Sequence, residues 1–217
     1  RYLLEQGYRA GFAIAAEPNH TDDLGTLNIV IKEKGVLWLK ISVSGKASHG
    51  ARPWLGDNAA EKLLNVYEQI KNLFEETSED NRWKSTINLG KIRAGNSPNR
   101  VPDKAEFILD IRFTEETNSK ELIEKIKQIE DVKLEVLEDS PMLLNENPVM
   151  IYKLKETIEK VTGNKSELQN NHGASDLAYA SEKGIESAIF GPYGLNYHGK
   201  EEFVYLSSLE LYYKVME

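Results

Sequence analysis

The chain has no cysteine. Disulfides are excluded, and any metal must be held by histidine, aspartate and glutamate. Histidine is scarce too, at four residues, so each one can be weighed by itself. No apolar run is long enough to span a bilayer and no signal peptide opens the chain, so the expected address is the cytoplasm. Basic clusters are missing and the formal net charge is −8, which argues against nucleic acid and anionic membrane as partners. No serine stands in a nucleophile elbow, and there is no glycine-rich phosphate loop. Internal repeats and low-complexity segments are absent. The chain opens at Arg1 without methionine, in mid-element, with Arg1 to Gly7 reading as the end of a helix. The sequence therefore reads as the later part of a longer protein.

What is present is ordinary apolar content with high, mixed charge, enough for a globular chain of one or two domains. The stretch from Val36 to Asn58 organises it. Leu37, Leu39, Ile41 and Val43 alternate with Trp38, Lys40, Ser42 and Ser44, the pattern of a half-buried strand. Gly45 ends the alternation. A loop with His49 and Arg52-Pro53-Trp54 follows, and Asp57 or Asn58 caps an amphipathic helix to about Glu75. Strands over 85–92 and 105–113, a helix over 119–128 and a strand over 132–137 complete a βαββαβ order, the ferredoxin-like plan. The flanks differ. Gly11 to Ala16 is a short continuous apolar run, as in a buried parallel strand. Helices from Pro148 and from Leu177, a strand over 187–190 and a terminal helix from about Tyr205 read as α/β. The expected division is residues 1–35 with 145–217 as one α/β domain, and residues 36–144 as a domain inserted into it.

Few residues are placed for chemistry. Glu17 follows the first apolar run, where open α/β sheets collect their ligands, although a lone glutamate there is more often a turn acid. His20 sits in a polar loop and reads as solvated. His49, His172 and His198 lie in glycine-containing loops rather than on core faces. Arg112, at a strand end, has a surface ion pair as its plain reading, and Asn99 a turn before Pro102. On residue chemistry alone, His49 and His198 stand out.

Ala16-Glu17-Pro18, Gly45-Lys46-Ala47-Ser48-His49-Gly50, Asn99-Arg100-Val101-Pro102-Asp103 with Asp110-Ile111-Arg112, Gly173-Ala174-Ser175-Asp176, and Gly191-Pro192 to His198 with Glu201-Glu202-Phe203-Val204 occur in that order. Each is weak alone. Together they resemble the M20 family of metallopeptidases and deacylases. The resemblance implies the C-terminal part of a catalytic α/β domain, with an inserted ferredoxin-like lid that commonly dimerises. It implies two divalent metal ions per complete subunit, zinc first, with cobalt or manganese accepted by the same ligands. Glu17 would bind one metal and His198 the other. His49 would reach into a neighbouring subunit's site to stabilise the oxyanion, and Asn99, Arg112 and Gly173 would bind substrate. That substrate is an N-acyl amino acid or short peptide, cleaved at its amide by metal-activated water. The chain departs from the family where His20-Thr21-Asp22 spells its H-x-D motif after Glu17-Pro18 rather than upstream. Glu75-Glu76, Glu115-Glu116 and Glu201-Glu202 do not stand where the family keeps its general base. The chain alone is therefore expected to be inactive, to hold zinc weakly, and to expose apolar edge and face. The rival reading is a non-catalytic dimerisation or binding module that uses the lid alone.

Overall fold

A computed structural model describes residues 1–18, 26–197 and 199–217. His20, Asp22 and His198 lie outside the described residues. The elements in chain order are α1 (Tyr2–Glu5), β1 (Phe12–Ala15), β2 (Ile29–Glu33), β3 (Gly35–Ser44), α2 (Ala59–Lys71), β4 (Thr86–Ala94), β5 (Lys104–Phe113), α3 (Ser119–Lys127), β6 (Lys133–Ser140), α4 (Val149–Thr162), β7 (Leu168–Asn171), α5 (Leu177–Glu182), β8 (Glu186–Ile189), β9 (Gly194–Leu195), β10 (Phe203–Val204) and α6 (Leu206–Met216). They form two compact units, one of residues 1–34 and 141–217, the other of residues 35–140.

In the unit of residues 35–140, four antiparallel strands lie in the order β4-β5-β3-β6. The alternation of β3 does what its period requires: Leu37, Leu39, Ile41 and Val43 are buried. Ala105, Phe107, Leu109 and Ile111 of β5 stand on the same face. Helix α2 covers that face with Ala59, Leu63, Val66 and Ile70, and α3 adds Leu122, Ile123 and Ile126. Each fully buried Leu, Ile or Phe contributes about 1.5–3 kcal/mol. Asn58, not Asp57, is the cap of α2. Its Oδ1 accepts from the Ala60 and Glu61 N–H groups, and its Nδ2 donates to Glu61 Oε1 at 2.8 Å. That exchange satisfies orphan donors of the first turn.

In the other unit, a mixed four-stranded sheet runs β1-β8-β2-β7. Strands β1 and β8 are parallel, as are β2 and β7. Between β8 and β2 the ladder is a single antiparallel pair, Val30 with Ile189. Asn145 bridges the rest of that gap: Nδ2 donates to Ile31 O and Ser187 O, both at 2.9 Å, and Oδ1 accepts from Ser187 N–H at 2.8 Å. Helices α4 and α6 pack one face around Ile29, Ile151, Ile158 and Phe190, and α5 packs the other through Ala178 against Val30 and Ile189. Strand β1 reads from sequence as fully buried, but all four of its residues are half-buried. Its position explains this, because β1 is the end strand of the sheet. Helix α6 carries a second apolar stripe, Leu206, Leu209, Tyr213 and Met216, that stays exposed. Among the described residues, no helix is long and apolar enough to cross a membrane.

Candidate functional site

Glu17 leaves the end of β1 and packs by its backbone against Gly191. A Cβ at 191 would sit 2.2 Å from the Glu17 carbonyl oxygen, so only glycine fits that approach. Partial burial, then the charge of Asp176, pushes the Glu17 carboxyl above the ordinary carboxylate range. Asp176 follows β7 through the His172–Asp176 loop and stands before α5. Glu33, at the end of β2, completes this acidic group. It is 2% exposed, and its Oε2 has no hydrogen-bond partner among the described residues. Burial raises its pKa, Ser175 pulls it down, and the charge of Glu17 raises it again.

Nothing in the sequence singles out Glu33, which stands between the charged Lys32 and Lys34. What places it inside is pairing: Glu33 stands opposite Asn171 in the parallel ladder, and its N–H donates to Leu143 O at 3.1 Å. Gly173 then passes directly over the carboxyl, where a Cβ would lie 3.4 Å from Oε1. Buried Ser175 Oγ also lacks a hydrogen-bond partner of normal geometry among the described residues. Thus Glu17, Glu33, Ser175, Asp176 and Gly173 belong to one neighbourhood. His172 is exposed on the same loop.

The loop that leads to position 198 is bracketed by aromatics. Buried Tyr193 stacks on Tyr205 with ring centroids 5.2 Å apart, and its N–H donates to Ser208 Oγ at 2.9 Å. Tyr197 donates its hydroxyl to Gly194 O at 2.6 Å. His198 itself lies outside the described residues. Among the described residues, no group of three or more His, Asp or Glu is placed to hold a metal ion. Catalytic zinc normally takes about three protein ligands. The described oxygens suit a divalent cation chemically but do not complete its shell.

In the other unit, His49 and Asn99 are brought together by backbone. His49 bridges to Arg100, Gly50 N–H donates to Asn99 O at 2.7 Å, and Val101 N–H donates to Ser48 O at 2.9 Å. His49 is exposed, and its Nδ1 accepts from Ala51 N–H at 3.1 Å. In the neutral ring the proton is thereby assigned to Nε2, which makes that nitrogen an outward donor. Asn99 Oδ1 accepts from Ser97 Oγ at 2.6 Å.

Arg112 lies elsewhere. It is eight residues along β5 from Lys104, about 27 Å by the rise of a strand, while Asn99 is in the loop that precedes Lys104. Its Nε and Nη2 donate to Asp110 at 2.9 and 3.3 Å, and Asp110 also accepts from the Trp38 indole at 3.0 Å. The structure thus pairs His49 with Asn99 and holds Arg112 apart, clamped by its neighbour.

Comparison with known proteins adds the following. Residues 31–136 match the family model of a peptidase dimerisation domain. A succinyl-diaminopimelate desuccinylase of Shewanella pealeana is 26% identical over 92% of this chain and 54% of its own length. A probable carboxypeptidase of Talaromyces marneffei is 38% identical over 48% of this chain and 23% of its own. A tripeptidase structure from Staphylococcus aureus superposes with a TM-score of 0.75 at 20% identity, over 98% of this chain and 57% of that one. At that identity the likeness is one of fold. The chain spans about half the length of the full-span relatives it matches.

Proposed function

Because this chain belongs to the M20 family of metallopeptidases and deacylases, we propose that it is part of an amide hydrolase for N-acyl amino acids or short peptides. The relatives' names carry desuccinylase and carboxypeptidase activity, and both substrates set an amide near a carboxylate. Two divalent metal ions, zinc first, would lower the pKa of a bound water if held there. Glu17 would give a ligand to one ion and His198 a ligand to the other, with the remaining ligands supplied from outside the described residues. The observation that carries the reading is that Glu17 feels the charge of Asp176 and Glu33 that of Glu17, with Gly173 close to the Glu33 carboxyl.

In this reading the complete enzyme is a homodimer, which the match to a peptidase dimerisation domain supports. A substrate of amino-acid size cannot touch Asn99 and Arg112 of one lid when about 27 Å of strand separates their positions. Two copies solve this: one provides His49 and Asn99, the other Arg112. His49 donates from Nε2 to the oxyanion that forms on the scissile carbonyl. Arg112, held by Asp110, offers its remaining N–H groups to the substrate carboxylate. Gly173 lets backbone approach the same end.

The test is metal content after dialysis, on this chain alone and mixed with the complementary N-terminal portion of an M20 catalytic domain, followed by assay against N-acyl amino acids. Near two ions per chain and hydrolysis in the mixture only, both lost in Glu17→Gln, are expected. Tight stoichiometric metal on the chain alone overturns the ligand assignment. A mixture without metal or activity favours the non-catalytic module.

A further inference from the structure

We infer that the β4-β5-β3-β6 sheet binds a phosphate group, free or carried by a small molecule, on the face opposite its helices. None of the residues that line this site has a role in the hydrolysis proposed above. Helices α2 and α3 pack the face that holds Leu37, Leu39, Ile41 and Val43. Facing residues on neighbouring strands point to the same side. On the opposite face the ladders set Arg93 of β4 across from Glu106 of β5, Glu106 across from Ser42 of β3, and Ser42 across from Lys133 of β6. Two residues along β3 in one direction, Ser44 faces Lys104; in the other, Lys40 faces Glu135.

These residues line a cleft of about 380 Å³. Sites for small ligands run from roughly 300 to 1,000 Å³, so the cleft is of small-molecule size. The sheet has a means of becoming concave there. Both outer ladders shift register, β4 with β5 between Leu89 and Lys91, and β3 with β6 between Trp38 and Leu39. Such irregularities bend a strand and increase its twist.

Charge then selects the ligand. Lys40, Arg93, Lys104 and Lys133 meet only Glu106 and Glu135 in the cleft, an excess of two positive charges in a chain whose net charge is −8. Lys40 is engaged, with its Nζ 2.9 Å from Glu106 Oε2. Among the described residues, the Arg93, Lys104 and Lys133 side chains and the Ser42 and Ser44 hydroxyls have no hydrogen-bond or ion-pair partner. Lys104 and Lys133 stand on the two strands that flank β3, about 12 Å apart by strand spacing and rise. Two four-carbon lysine stems from those positions close on an oxyanion seated over the serines. A phosphate monoester brings about −1.5 to −2 charge at pH 7 and three acceptor oxygens. That matches the surplus charge and supplies acceptors for both hydroxyls and both ammonium groups. A single carboxylate brings one charge and two oxygens.

The experiment is a nitrogen–proton NMR titration of the full chain at fixed ionic strength with inorganic phosphate, glycerol 3-phosphate and acetate. Saturable shifts centred on the amides of residues 42, 44, 104 and 133 are expected with the two phosphates and not with acetate. Tighter binding of glycerol 3-phosphate identifies a phosphate monoester as the ligand; equal affinity identifies free phosphate. Lys104→Ala with Lys133→Ala should weaken phosphate binding at least about 10-fold, since each charge-assisted hydrogen bond contributes about 1.5–3 kcal/mol. Both lysines are exposed, so melting of that variant should match wild type. Lys120→Ala with Lys160→Ala removes the same charge elsewhere and should leave affinity within about 2-fold. Shifts that never saturate, shifts as large with acetate, or equal weakening in the two double variants would show only a solvated basic face and overturn the site.

Discussion

Gly45 is fixed by contact rather than by backbone angle. A Cβ there would meet the Asp57 carbonyl oxygen at 2.1 Å and the Ala59 nitrogen at 2.9 Å, all backbone that cannot turn aside. Gly45→Ala should cost about 1–3 kcal/mol, the range for a core forced to accept an extra methyl, seen as a lower denaturant midpoint at constant slope. Glu33 makes the opposite case, a polar group kept where burial disfavours it. Its folded pKa is raised by burial, so the folded chain keeps a proton that the unfolded chain loses above about pH 4.3. Stability from this group is full below that pH and falls as pH rises through the folded pKa. Glu33→Gln removes the dependence. Its melting temperature should exceed wild type by more at pH 7 than at pH 4; an equal gap at both pH values would refute the linkage.

At the scale of elements, the weakest join in the described sheet is that between β2 and β8, with one backbone pair and one asparagine. Asn145→Ala leaves the Ile31 and Ser187 groups short of partners in a part-buried place. Unsatisfied buried groups cost about 1–3 kcal/mol, so a loss of about 2–3 kcal/mol is expected. Hydrogen exchange should quicken in β2 and β8 before it does in β3 and β5. The helices were more legible than this join. The three- and four-residue spacing of Leu63, Val66 and Ile70 and the cap at Asn58 mark α2 in the sequence, although the helix stops at Lys71 rather than near Glu75. Strand β7 was not legible, because Leu168-Gln169-Asn170-Asn171 has neither alternation nor β-branched residues. It exists because Ile29 to Glu33 offers it a parallel edge.

For the whole molecule, each unit has its own core. Residues 35–140 bury Leu37, Phe107, Leu109 and Ile126 to 1% exposure or less. Expressed alone, that segment should melt cooperatively and give dispersed amide resonances; a molten profile, with far-ultraviolet signal but no fixed tertiary signal, would refute its independence. The flanking unit carries the exposed stripe of α6, and Leu206→Ser with Tyr213→Ser should reduce binding of an apolar dye to the full chain while the fold persists. The sequence by itself determined the α/β class, the βαββαβ order and the family, since periodicity and short motifs are local properties that survive without coordinates. Tertiary structure alone decided that Glu33 lies buried beside Glu17, that Asn145 bridges β2 and β8, that His49 shares a backbone ladder with Asn99, and that Arg112 is clamped by Asp110 far from both. Those are contacts between residues distant along the chain or set by side-chain geometry, and no periodicity encodes them.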